Sequence, residues 1–177
     1  MASGGGTASH EIPAIIAGFP TQIEAFDIAG TPIALVTVRD LEQHVDREQL
    51  LHDESTVPPY WALVWGGAKA LAEHLATRVD CAGRSVLDVG CGLGLVALTA
   101  AAHGAVVTAI DRELAPIEFV QASAAINGAS VDALVGDVVT VALGRRFDLV
   151  LAADLLYERG EFERLADALA ELVAPGG

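Results

Sequence analysis

A chain of 177 residues, 53% of them apolar, is long enough for one domain with a real core and too apolar for a disordered segment. Its formal net charge of −14 repels phosphate backbones and anionic lipid, which argues against nucleic acid and membranes as partners and leaves cationic or neutral ones. No apolar run reaches the ~18 residues of a membrane span. Two isolated cysteines, Cys81 and Cys91, make neither a disulfide framework nor a zinc site, so both are read as reduced thiols of a cytoplasmic protein.

In chain order, "MASGGGTASH" (1–10) lacks the basic and apolar regions of a signal peptide and is read as a flexible tail. Residues 11–56 form an N-terminal extension. Within it "TQIEAFDI" and "PIALVTVR", separated by "AGT", predict a β-hairpin. From residue 57 the character changes. In "VPPYWALVWGGAKALAEHLATRV" a helix is expected from about Pro59, because proline enters a helix but does not continue one. Trp61 and Trp65, four apart, would then share a face. Gly66 and Gly67 weaken such a helix by about 1 kcal/mol each relative to alanine. The pair implies a kink or a close approach to the backbone.

"RSVLDVG" follows as a short buried strand, "LGLVALTAAAHGA" as a helix closed by Gly104, and "AVVTAID" as a second strand. "ELAPIEFVQASAAINGA" is a helix with Pro116 near its start. "VDALVGD" and "RFDLVLAAD" are two more strands, and "ERGEFERLADALAELVAPGG" is an amphipathic helix stopping at Pro-Gly-Gly. Apolar strands alternating with helices predict an α/β fold with a doubly wound, mostly parallel sheet over residues 57–177.

In such a sheet the ligand sits beyond the carboxyl ends of the strands, beside the first one. Gly90, Gly92 and Gly94 fall where that strand turns into its helix, and glycine lets a ligand rest against the main chain. Asp111 ends the second strand about 20 residues on, where an acid meets ribose hydroxyls in nucleotide-binding folds; the alternative is a cap on the next helix. Asp88 lies inside the strand. A carboxylate there suits an ammonium or sulfonium and not a diphosphate; the alternative is a cap on loop amides. The spacing also departs from G-x-G-x-x-G, with Leu95 at the third glycine's place.

"VLDVGCGLG", "VTAID", the pair Gly136-Asp137 and "FDLVLAAD", in that order, resemble the motifs of the class I (seven-β-strand) S-adenosylmethionine-dependent methyltransferases. "PPYWALVWGGAKALAEHL" and "ADLLYE" resemble the group of small protein-lysine methyltransferases within it. The resemblance implies S-adenosyl-L-methionine as cofactor and S-adenosyl-L-homocysteine as product. It places the methionine part on Gly90, Gly92 and Gly94 with Asp88 near the amino group, the ribose on Asp111, and the adenine on Asp137 and Val138. Trp65 would lie over the pocket, while Trp61 is open to a purely core role. Asp154 and Tyr157 would floor the acceptor site as catalytic residues; the plainer alternative is a capped strand end and a half-buried tyrosine. No metal is implied.

The expected acceptor is a protein lysine or a small-molecule amine. Two other readings stand beside it. An NAD-dependent oxidoreductase would use Asp111 but leave Asp88, Asp137 and "ADLLY" idle, and a non-catalytic or truncated module would bind S-adenosylmethionine without turnover. The family's sheet continues after "LVAPGG" with a fifth strand, so truncation is expected. An exposed edge on the fourth strand would then pair with a second copy, unless the N-terminal hairpin covers it.

Overall fold

The structure, a computed structural model, describes residues 12–45, 58–156, 160 and 162–177. Its centre is β4 (Ser85–Val89), whose side chains alternate between two apolar layers because successive residues of a strand face opposite ways. Val86 joins the layer made by Leu75, Val96, Ala97, Ala100, Val107 and Val120. Leu87 and Val89 join the opposite layer with Ile110 and Phe147. A strand buried on both faces needs a continuous apolar run, and "SVLDV" supplies one with a single interruption, Asp88.

β4 pairs in parallel with β5 (Val106–Asp111) on one side and β7 (Leu149–Ala152) on the other, and β6 (Val131–Val135) extends the sheet beyond β5. The strand order is β6-β5-β4-β7. Helices α1 (Gly66–Arg78), α2 (Leu95–Ala102) and α3 (Leu114–Asn127) supply the first layer. Leu169 and Leu172 of α4 (Phe162–Leu172) pack into the second. The order reverses beside β4, so the crevice at the carboxyl ends of β4 and β5 is the expected ligand position for this topology. At the opposite end Asp148 ties β7 to β4: its Oδ2 accepts from the Ser85 backbone N–H at 2.8 Å and the Ser85 hydroxyl at 2.7 Å. Those two bonds hold its carboxyl below the ordinary range.

The expected hairpin is present as β2 (Phe19–Ile28) and β3 (Thr31–Val38), with a two-residue β1 (Ile15–Ile16) added on β2. It forms its own sheet and does not close the edge of β7. It lies on α2 and α3, and Ile33, Leu35 and Val36 of β3 are fully covered. Among the described residues one parallel bridge, Phe147 with Val173, forms just before β7 on its outer side as the chain leaves α4. Val173 lies inside "LVAPGG" itself, ahead of the position at which a fifth strand is expected.

The helix expected from Pro59 does not form as a unit. Tyr60–Ala62 make one 3₁₀ turn, Leu63 and Trp65 are extended, and α1 starts at Gly66. Trp61 and Trp65 therefore do not share a helical face. Gly66 and Gly67 are the first residues of α1 and not a kink inside a longer helix. The physical reason lies at the far end of β7 and is described with the site.

Candidate active site

A cavity of about 220 Å³ opens at the carboxyl ends of β4, β5 and β7. Its wall contains Gly90, Gly92 and Gly94 from the turn after β4, Asp88 within it, Asp111 at the end of β5, Asp137 and Val138 after β6, Asp154 after β7, and Trp65 before α1. All nine expected site residues inside the described segments thus reach one cavity, although they span residues 65–154. Tyr157 lies outside the described residues.

The turn between β4 and α2 is where the backbone most needs glycine. Gly94 sits at φ +83°, in the left-handed region, and a Cβ there would come within 2.7 Å of the Val120 side chain. The tight turn brings the amides at the start of α2 back over β4. Asp88, 2% exposed, uses one of them: its Oδ2 accepts from the Ala97 N–H at 3.0 Å. Burial pushes the Asp88 carboxyl up to about 7, against the pull of that amide. Asp88 thus caps an amide at the start of α2, the plainer of its two alternatives, while lining the cavity.

Asp111 is fastened in a similar way. Its Oδ2 accepts from the Gly92 N–H at 3.0 Å and its Oδ1 from the Glu113 N–H at 3.2 Å. Burial raises its carboxyl and the amide bonds partly offset this. Each carboxylate oxygen has two lone pairs, so acceptor capacity toward the cavity remains. Asp137 accepts from the Val139 N–H at 2.9 Å, which orders the turn carrying Val138.

Trp61 is 7% exposed and stands between the hairpin and α3, with ring centroids 5.4 Å from Phe19 and 5.3 Å from Phe119. It is core and cavity wall at once. Trp65 is 42% exposed, and its indole N–H donates to the Tyr60 carbonyl at 2.8 Å. Asp154, at φ +55°, directs Oδ2 to the Ala68 N–H at 2.9 Å. A Cβ on Gly67 would lie 2.5 Å from its Oδ1. The glycine pair is therefore there for a close approach, and the approaching group is the Asp154 carboxylate.

Glu113 was missed from sequence. It lines the cavity, and burial raises its carboxyl while a hydrogen bond from the Trp61 side chain pulls the other way. Its position two residues beyond the acid ending β5 was the available signal, but the same position reads equally as the start of a helix. Leu155 was missed as well: its side chain lies over Gly90, where a Cβ would meet it at 2.2 Å.

The family model "Methyltransferase domain" matches residues 86–177, just over half of the chain. A ubiquinone biosynthesis O-methyltransferase from Coxiella burnetii is 28% identical over 144 residues, covering 77% of this chain and 61% of that protein. The electron transfer flavoprotein beta subunit lysine methyltransferase of Danio rerio is 34% identical over 114 residues, covering 63% and 42%. The chain spans about three fifths of the first of these relatives and less of the second. Among solved structures, a 16S rRNA methyltransferase from T. thermophilus, in complex with AdoMet and guanosine, superposes with a TM-score of 0.67 at 22% identity, covering 89% of this chain and 40% of that one. That likeness shows the fold. Among the described residues no helix is long and apolar enough to cross a membrane. With the family model matched over the segment that carries the turn, the strand-end acids and β7, the chain belongs to the class I, S-adenosylmethionine-dependent methyltransferase family.

Proposed function

We propose that the chain binds S-adenosyl-L-methionine in the cavity at the ends of β4 and β5 and transfers its methyl group to the nitrogen of an amine, a protein lysine ahead of a small molecule. The observation that carries the cofactor is Asp88, a carboxylate buried at 2% exposure in the cavity wall, with its carboxyl pushed up to about 7. A cationic group beside it would restore its charge. A dinucleotide's diphosphate would make the site worse. Gly90, Gly92 and Gly94 would admit the methionine part against the main chain, Asp111 would accept from ribose hydroxyls, and Asp137 with Val138 would hold the adenine.

The cofactor supplies, when bound, a methyl on a positively charged sulfur. The protein's part is alignment and exclusion of water. An amine drawn into a cavity walled by Trp65, Leu155 and Val138 loses hydration, which lowers its pKa and favours the free lone pair. Asp154, on the cavity wall after β7, would orient that amine by accepting a hydrogen bond, with Tyr157 beside it. The net charge of −14 supports a cationic acceptor over a nucleic acid. Cys81 and Cys91, both free, are consistent with the cytoplasm, where we place the protein.

Calorimetric titration with S-adenosylhomocysteine, with NAD as control, tests the reading. Saturable binding of the first is expected, weakened at least tenfold, about 1.4 kcal/mol, by Asp88→Ala and by Asp111→Ala. Binding of NAD alone would overturn it. Radiolabelled methyl transfer to amine acceptors then separates an enzyme from a module that only binds, and transfer to hydroxyl acceptors alone would exclude the amine.

A further inference from the structure

α1 begins without a cap of its own. The residue before it, Trp65, carries no side chain able to accept from the first-turn amides, and none does so from that position. The missing acceptor comes from the end of β7: Asp154, 86 positions along the chain, takes the Ala68 N–H at 2.9 Å. Three features single out this contact. Asp154 holds a left-handed backbone, φ +55°, which is unfavourable for a residue with a Cβ unless the surroundings impose it. Gly67 leaves the space the carboxylate enters, since a Cβ there would be 2.5 Å from Oδ1 and 2.7 Å from Cγ. Trp65, Ala68 and Asp154 also line the same cavity, and the exposed Trp65 ring is held within its own segment by the 2.8 Å bond to the Tyr60 carbonyl and by the Tyr60 ring, 6.1 Å between centroids.

We infer that Asp154 is a positioning residue as well as the acceptor-side acid: its carboxylate latches the first turn of α1 and so seats Trp65 on the cavity, which makes cofactor binding depend on a side chain from the acceptor side. The inference rests on the proposed cofactor. A residue that only oriented the incoming amine would leave binding of S-adenosylhomocysteine untouched, because that ligand brings no amine acceptor. A latch does not. An orienting acid also needs its negative charge, whereas a latch needs only an oxygen that accepts from an N–H.

The experiment measures S-adenosylhomocysteine affinity, and hydrogen exchange at the Ala68 amide, in Asp154→Ala, Asp154→Asn, Gly67→Ala and the Gly67→Ala/Asp154→Ala double variant. Asp154→Ala is expected to weaken binding roughly five- to tenfold, the worth of a helix cap, and to speed Ala68 exchange by a similar factor. Asp154→Asn keeps the acceptor oxygen and should stay within about twofold of wild type in both, while methyl transfer falls. Gly67→Ala should mimic Asp154→Ala, and the double variant should add nothing, because both changes break one contact. Additive losses, or Asp154→Asn as weak as Asp154→Ala, would overturn the latch. So would unchanged Ala68 exchange in Asp154→Ala, whether or not the ligand binds. Failure of the wild-type chain to bind S-adenosylhomocysteine sinks the cofactor reading instead, and Ala68 exchange then judges the latch alone.

Discussion

Asp88 gives the site a pH signature whose sign can be worked out. Its ordinary value of 3.8 applies to the unfolded chain, while in the fold burial lifts it to about 7. Between those values the folded chain holds a proton the unfolded chain has released. The group's contribution to stability is therefore fully present below 3.8 and lost as pH rises through about 7. A ligand ammonium beside the carboxylate favours the ionised form and reverses the trend. The expected result is that S-adenosylhomocysteine affinity rises roughly tenfold between pH 6 and pH 8, and that the stabilisation it confers on thermal unfolding grows over the same interval. Asp88→Asn should flatten both. A wild-type profile as flat as that of the variant would show that no cation approaches Asp88.

The hairpin of β2 and β3 is held on α3 by side chains and not by a sheet ladder. Asn127 accepts from the Ala34 N–H at 3.0 Å and donates to the Ala34 and Ser123 carbonyls, and the Ser123 hydroxyl takes the Val36 N–H at 2.9 Å. Asn127→Ala strands two backbone groups of β3 under partly buried conditions. It should cost about 1–3 kcal/mol in urea unfolding without changing ligand affinity, since Asn127 lies outside the cavity wall. A coupled loss of affinity would mean that the hairpin shapes the site. Asn127 and Ser123 also mark a limit of sequence reading. Asn127 before Gly128 reads as a helix end, which it is, and nothing local says that its amide also serves a strand 93 residues upstream. The strands from β4 to β7 were legible because each is a short apolar run bounded by turn residues, and the site acids because each follows or interrupts such a run. The start of α1 was not. Pro58, Pro59 and the helical spacing of Trp61 and Trp65 all favoured an earlier start, while the deciding acceptor, Asp154, is remote. Gly66 and Gly67 did announce a close approach, though not by what.

At the scale of the molecule the two faces of the sheet are unequally covered. Three helices and the hairpin lie on one side, and α4 with the segment leading to β7 on the other. Among the described residues β7 is fully paired with β4 and meets only the Phe147–Val173 bridge on its outer side. A partly open edge of "LVLA" is a template for further strand pairing. Sedimentation velocity of the chain is expected to show mass rising with concentration; a constant monomer mass would show that the single bridge suffices to close the edge. The placement of the hairpin bears on something else, the order of events while the chain is being made. Ala34 leaves the ribosome 93 residues before the Asn127 that will hold it. At ~5–20 residues per second that is a wait of roughly 5–20 s. For that interval Ile33, Leu35 and Val36, at 2% exposure or less in the finished fold, lack the part of their cover that α3 supplies. The hairpin is thus made well before the helix that fastens it, and it is a stretch a nascent-chain chaperone would meet.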